Sequence, residues 1–349
     1  MGTLFRSAVF LIFLATAGTG LTAAEKKKSR EPKAVTRTQP ASPRASSSSE
    51  SELAPRLNKS VLDEEFPPDN DRSGPVRPDP RNFHRLSEGE LPLAARGAVV
   101  VDGWTGRTLY ARNADVPEYP ASTTKIMTAL LVIEAGDLDR EIEITEEDAR
   151  VGESSLNIKT GERYTRRQML YGLMLKSAND VAHALGRDNA GSIESFGLKM
   201  TVRARELGAV STSFRNPHGL HDVNHYTTPS DLACIARAAM QQPLFRQIVS
   251  TLDHPWVTTV AIQSLRNHNR LLTQFPGCTG VKTGYTRPAQ QVLASAALRD
   301  HREVIAVVMH TDKPGIWEDS KLLLTYGLEH PPAVDLPDLS SLPKSAGRP

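Results

Sequence analysis

The chain has 349 residues, with Lys+Arg 42 against Asp+Glu 40 for a net charge of +2, two cysteines and 24 prolines. Near-balanced charge excludes the electrostatic footprint of a dedicated nucleic-acid binder, and two cysteines exclude a disulfide scaffold and a four-cysteine zinc site. The length allows one or two domains, because a single core stops growing at roughly 250 to 300 residues, and the proline content implies that part of the chain is not globular.

Residues 1–24 read as an export signal. Arg6 supplies a positive start, Ala8 to Leu14 form a compact apolar run, and Ala15-Thr16-Ala17 and Thr22-Ala23-Ala24 offer small-residue cleavage sites. The expected destination is periplasmic or extracellular, with membrane contact only through this segment if it stays uncleaved. Later apolar runs are too short to span a bilayer. Residues 25–92 turn to Lys, Arg, Pro, Ser and Glu, with Ser46 to Ser49 in a row and Pro75, Pro78 and Pro80 clustered. Such a stretch buries too little apolar surface to offset the entropy of ordering it, so it reads as a disordered tether that opens on a solvated charge run, Lys26-Lys27-Lys28. Residues 331–349 read as a disordered tail.

Order is expected over 93–330. Two strands, 98–101 and 107–111, flank the turn residues Asp102-Gly103-Trp104-Thr105-Gly106 and read as a hairpin. A helix over 122–135 is apolar on almost every face (Ile126, Met127, Leu130, Leu131, Val132), which places it in a core. Further helices are expected at 166–175, 179–186, 193–207 and 229–241. A second hairpin, 291–298 with 304–309, turns at Arg299-Asp300-His301-Arg302, and a last helix covers 317–328. Strands at both ends with helices between them predict one α/β (α+β) sandwich whose sheet joins the two ends of the domain around a helical insert.

Three short elements carry chemistry. In Ser122-Thr123-Thr124-Lys125 the hydroxyl and the amine stand one helical turn apart, on one face. Pro120 marks the helix start, where free N–H groups favour a developing oxyanion. Lys125 lies among apolar residues, and burial drives a lysine toward its neutral, basic form, able to activate the serine. In Ser177-Ala178-Asn179, placed in a bend between two helices, the hydroxyl can relay a proton and the amide can hold a carbonyl; helix capping is the competing use of both side chains. In Lys282-Thr283-Gly284, on a strand, charge and hydroxyl can meet a carboxylate while the glycine leaves the backbone open.

Each element has a decoy. Ser341-Leu342-Pro343-Lys344 repeats the first spacing, but its proline forbids a regular helix. Ser155-Leu156-Asn157 and Lys159-Thr160-Gly161 repeat the others. The latter precedes Thr165, a good N-cap, and reads as a turn with no strand hairpin after it.

In their chain order the three elements match the active-site set of penicillin-binding proteins and class A β-lactamases. Over 95–328 the chain resembles the low-molecular-weight penicillin-binding proteins of the D-alanyl-D-alanine carboxypeptidase family, peptidase S11-like. The segments that carry the resemblance are Asn113-Ala114-Asp115 through Ser122-Thr123-Thr124-Lys125, Lys176-Ser177-Ala178-Asn179-Asp180, Asn216-Pro217-His218-Gly219-Leu220, and Gly280-Val281-Lys282-Thr283-Gly284-Tyr285-Thr286. The resemblance implies a β-lactamase/transpeptidase-like fold, an antiparallel sheet with flanking helices. It implies that Ser122 attacks the terminal D-Ala-D-Ala bond of peptidoglycan stem peptides to form an acyl-enzyme, with Lys125 as base and Ser177 returning a proton to the leaving D-alanine. Asn179 would orient the substrate, Lys282 and Thr283 would receive its carboxylate, Gly284 would keep the strand open beside it, and the N–H groups of Ser122 and Tyr285 would form the oxyanion hole. One lysine is thus expected neutral and the other charged. β-Lactams would acylate the same serine, and no metal or organic cofactor is implied.

The sequence departs from this pattern at Pro288-Ala289-Gln290-Gln291, where relatives usually carry Ala-Gly. After residue 328 it shows a short polar tail rather than the family's β-domain and anchoring helix, so an enzyme soluble or held by its N-terminus is expected. That difference motivates a D,D-endopeptidase as the alternative; a β-lactamase or a silent peptidoglycan-binding module is less favoured. His218, His221 and His225 have ligand-like spacing, but no H-E-x-x-H accompanies them. Cys234 and Cys278 read as two lone thiols rather than a disulfide.

Overall fold

The computed structural model describes residues 89–258 and 260–331. The expected export signal, nearly all of the expected tether and all but the first residue of the tail lie outside the described residues.

The domain opens with the expected hairpin, β1 (Gly97–Asp102) and β2 (Thr108–Arg112). Its turn is closed by Asp102, whose Oδ1 accepts the N–H of Thr105 and the Thr105 hydroxyl, both at 2.8 Å. A 3-10 turn, Ala121–Thr124, runs directly into α1 (Lys125–Ala135). The insert follows as β3 (Glu141–Glu143), α2 (Glu146–Arg150), β4 (Arg163–Thr165), α3 (Arg166–Tyr171), a π turn (Gly172–Lys176), α4 (Asn179–Ala190), α5 (Ile193–Glu206), α6 (Pro229–Met240) and α7 (Pro243–Ser250). The chain then forms β5 (Asp253–Val257), β6 (Ile262–Arg266), α8 (Leu271–Gln274), β7 (Cys278–Thr286), β8 (Gln290–Arg299), β9 (Arg302–Thr311) and α9 (Gly315–Glu329).

The main sheet is antiparallel with strand order β2-β1-β9-β8-β7, so the first and last segments of the domain share one sheet, as expected. Both of its faces are covered. Along β9, Ile305, Val307 and Met309 face the helical insert, while Val304, Ala306 and Val308 face the layer of α9. Along β1 the same split sends Val99 and Val101 one way and Ala98 and Val100 the other. Two-sided burial explains why these strands read as unbroken apolar runs rather than alternating ones. Each buried Val, Leu or Ile side chain gains about 1.5–3 kcal/mol.

Helix starts follow local chemistry. Thr145, Thr165, Ser192 and Thr228 each accept an N–H in the first turn of α2, α3, α5 and α6. Differences from expectation fall on short or locally ambiguous pieces. The expected helix at 166–175 is α3 plus the π turn, and α7 and the ribbons β3–β4 and β5–β6 were not foreseen. Pro255 argues against a strand in β5, yet it is accommodated because β5 pairs with β6 alone. The decoy at Lys159 is a turn, as expected, but it feeds β4 and so lies inside a small ribbon.

Candidate active site

The 3-10 turn that carries Ser122 is fastened from both ends. Ala121 takes a left-handed φ of 47°, and the N–H and hydroxyl of Thr123 both donate to the Pro120 carbonyl, at 3.2 and 2.6 Å. A non-glycine residue in that region costs of order 1–3 kcal/mol and persists where its surroundings over-determine it. Here they do. Gly219, at φ 85°, lies so close beneath the turn that a Cβ on it would stand 1.8 Å from the Ala121 carbonyl oxygen.

Lys125 is fully buried beneath Ser122. Its Nζ lies 3.0 Å from Ser122 Oγ, 2.7 Å from Asn179 Oδ1 and 2.7 Å from the His218 carbonyl oxygen. Burial, helped by the nearby Lys282, holds its pKa well below the ordinary lysine value. A neutral amine has two hydrogens and one lone pair. Asn179 Oδ1 and the His218 carbonyl can only accept, so they take both hydrogens, and the lone pair faces the Ser122 hydroxyl. The amide orientation is fixed independently, because Asn179 Nδ2 donates to the Gly152 carbonyl at 3.1 Å. Asn179 is therefore not a helix cap: α4 starts from Ala178 without a side-chain cap.

Ser177 closes the π turn in a left-handed conformation, φ 64°, and is buried at the hinge before α4. π turns recur at functional sites because they re-aim the residues that follow. Asp180 secures the facing loop by accepting the Ser155 hydroxyl at 2.6 Å and the N–H groups of Leu156 and Ile158. The decoy serine at 155 is thus part of the wall that holds Asn179.

The Lys-Thr-Gly element lies on β7 directly against the turn that carries Ser122. A Cβ on Gly284 would stand 2.9 Å from Ser122 N and 3.1 Å from the Pro120 oxygen, so only a glycine lets the two backbones meet. Lys282 is buried, and its Nζ donates to the Thr283 carbonyl at 2.9 Å. Burial pushes the Lys282 pKa down to about 7, so the charge expected on this lysine is held less strongly than on an exposed one. Thr283 is half-buried and Tyr285 exposed, farther along the strand. Ser122, Lys125 and Asn179 are joined by hydrogen bonds, Gly284 by backbone contact; Ser177, Thr283 and Tyr285 are placed by their neighbours on the hinge and on β7. Gln290 takes the left-handed region, φ 56°, without being a glycine, which answers the departure noted at 288–291.

Sequence reasoning did not foresee the backing of the site by the 216–225 loop. Besides the His218 carbonyl on Lys125, His225 is held in one tautomer. Its Nδ1 accepts the Arg215 N–H at 3.0 Å, so Nε2 donates to Thr124 Oγ1 at 2.8 Å. Burial lowers its pKa to about 3, which keeps it neutral. His221 packs edge-on against Tyr119, so the three spaced histidines serve three different contacts. The only legible signal was Gly219 inside Asn216-Pro217-His218-Gly219-Leu220. Both cysteines are free thiols.

A family model described as Peptidase_S11, D-alanyl-D-alanine carboxypeptidase, matches residues 85–313. The chain is 36% identical over 231 residues to the D-alanyl-D-alanine carboxypeptidase DacF of Bacillus subtilis, a match over 64% of this chain and 59% of that relative. It is 35% identical over 254 residues to a D-alanyl-D-alanine carboxypeptidase of Streptomyces sp. strain K15, covering 67% of this chain and 87% of that one. Among solved structures, the Streptomyces K15 DD-transpeptidase superposes with a TM-score of 0.65 at 34% identity, over 68% of this chain and 98% of that one. A penicillin-binding protein homologue from Mycobacterium tuberculosis gives 0.67 at 32% identity, over 71% and 97%.

Proposed function

The chain belongs to the D-alanyl-D-alanine carboxypeptidase family, a family of serine hydrolases, and on that premise we propose that it removes the terminal D-alanine from peptidoglycan stem pentapeptides through an acyl-enzyme on Ser122. The observation that carries the reading is the three-way environment of Lys125 Nζ, which aims a neutral amine's lone pair at the Ser122 hydroxyl.

In this reading Lys125 takes the hydroxyl proton as Ser122 Oγ bonds to the penultimate carbonyl carbon. The backbone N–H groups of Ser122 and Tyr285 receive the oxyanion, and the C–N bond breaks as the proton, passed through Ser177, reaches the departing amine. Water then hydrolyses the ester and restores Ser122. The substrate carboxylate docks at Lys282 and Thr283, and its negative charge pulls the Lys282 pKa up from about 7, so binding charges the lysine that holds it. A β-lactam, with its own carboxylate and strained amide, enters the same way and acylates Ser122. The reading places the enzyme outside the cytoplasm, where its polymer substrate lies, in keeping with the signal-like residues 1–24.

Mass spectrometry after penicillin treatment tests the assignment. Wild type should gain one adduct and Ser122→Ala none, with D-alanine release from pentapeptide falling by at least about 1000-fold. An adduct that survives in Ser122→Ala would sink the nucleophile assignment.

A further inference from the structure

The segment that leads into the Ser122 turn passes through Glu118, a buried acid that the catalytic reading does not use. Its main chain is bridged to the segment before α6: Glu118 N donates to the Thr227 carbonyl at 2.7 Å, and Thr227 N donates to the Glu118 carbonyl at 3.0 Å. Its side chain reaches other elements. Oε1 pairs with Arg96 Nε at 2.8 Å, at the entry to β1, and Oε2 stands 3.4 Å from His310 Nδ1, near the end of β9. Arg96 and His310 are tied to each other, since Arg96 N donates to the His310 carbonyl at 3.2 Å. Asn113 Nδ2 adds a hydrogen bond to the Arg96 carbonyl at 2.7 Å. One residue thus joins the start of α6 to two neighbouring strands of the main sheet.

Stability is a weak reason to keep a carboxylate in such a place. Taking it out of water costs about as much as its ion pair returns, and a well-packed apolar side chain often holds a fold as firmly. What the pair adds is a defined distance. Between Glu118 and Ser122 lie only Tyr119, Pro120 and Ala121; the proline ring fixes one φ, and Ala121 is held at 47°. A shift of Glu118 therefore reaches Ser122 with little slack to absorb it. The strained Ala121 persists only while its surroundings hold it from both sides. Gly219 and Thr123 hold the side toward α1, and the Glu118 contacts hold the side toward the sheet.

We propose that Glu118 is a positioning residue for the reaction at Ser122, acting through Arg96 and His310 and not on the substrate. The inference rests on the acyl-enzyme reading above and adds to it what sets the height of the nucleophile over the sheet. Loss of the Glu118 charge should slow the step in which Ser122 Oγ bonds to the carbonyl carbon, because that step depends on the approach distance. Docking of a carboxylate at Lys282 and Thr283 should be unaltered.

The full chain is mixed with penicillin over a range of concentrations, and mass spectrometry of the adduct gives the limiting acylation rate and the half-saturating concentration separately. Melting temperature is measured beside them. Glu118→Gln keeps the shape and removes the charge; it should lower the limiting rate at least about tenfold and leave the half-saturating concentration within about twofold. Its melting temperature should stay near that of wild type. Arg96→Ala, at a guanidinium that is partly exposed, should reproduce the loss without threatening the fold, and Arg96→Lys should recover most of the rate. If Glu118→Gln does not fold, the two Arg96 variants decide the matter. An unchanged limiting rate in the folded variants would overturn the proposal, as would a loss confined to the half-saturating concentration, a fall in melting temperature with the rate intact, or a loss that Arg96→Lys does not relieve. A wild type that gains no adduct would instead remove the Ser122 reading, and this inference with it.

Discussion

Lys282 answers to two opposed demands. On the proposed function a cation is needed where the substrate carboxylate docks, but full burial penalises that cation and lowers its pKa to about 7 from an ordinary 10.5. Two pH dependences follow, with opposite signs. The charged fraction of the free enzyme falls as pH rises through about 7, so KM for a carboxylate substrate should rise above neutrality, and Lys282→Arg should flatten that limb because a guanidinium stays charged. Folding runs the other way. Between about 7 and 10.5 the unfolded chain binds more protons at this position than the native one, so stability increases with pH across that window and is lost as pH falls through about 7. Lys282→Met should therefore raise Tm at pH 7 and weaken its pH dependence while impairing substrate binding; a lower Tm at pH 7 would refute the account.

At the scale of elements, the site is a junction of three pieces: the 3-10 turn before α1, the π turn before α4, and β7. Their contact is made by backbone rather than by side chains alone. Gly284 brings β7 against Ser122 N, and a Cβ there would demand a shift of several tenths of an ångström from backbone atoms that cannot yield separately. Gly284→Ala should lower the penicillin acylation rate by roughly 10- to 100-fold, since a full 1 Å misplacement costs about 100-fold and this shift is smaller, with the fold retained by circular dichroism. Gly219→Ala meets the Ala121 oxygen at 1.8 Å and should be worse, lowering both acylation and yield of folded protein. An unchanged acylation rate in Gly284→Ala would show that the strand and the turn move independently.

Over the whole molecule, the sheet separates two cores with different duties. The face toward the insert packs α1, α4, α5, α6 and α7 and carries the Ser122 turn; the other packs α9 and α8. Leu324 on α9 is fully buried in the second core, away from Ser122. Leu324→Ala should cost about 2–5 kcal/mol and lower Tm by roughly 5–15 °C. Penicillin acylation at 25 °C should stay within about twofold of wild type, since the cavity opens behind the sheet. A matching loss of acylation would mean that the sheet transmits strain between its faces.

Local chemistry determined much of this in the linear sequence. The apolar runs of β1, β8 and β9, the Thr and Ser caps, and the turn at Asp102 depend on neighbours a few residues away, so hairpins and most helices were readable, as was the order of the three catalytic elements. The weak pieces were those whose local signals conflict or are too short, such as β3 and β4 with three residues each and β5 with its proline. What only the tertiary structure decided is protonation and support. Residues 54 and 93 positions from Lys125 supply the acceptors that orient its lone pair, and 101 positions separate Thr124 from the His225 that holds it. Burial is likewise a property of the packed chain. The sequence named Lys125 and Lys282 as the two candidate lysines of the site, but only folding, by removing both from water, lowered their pKa values, that of Lys125 well below the ordinary lysine value and that of Lys282 to about 7.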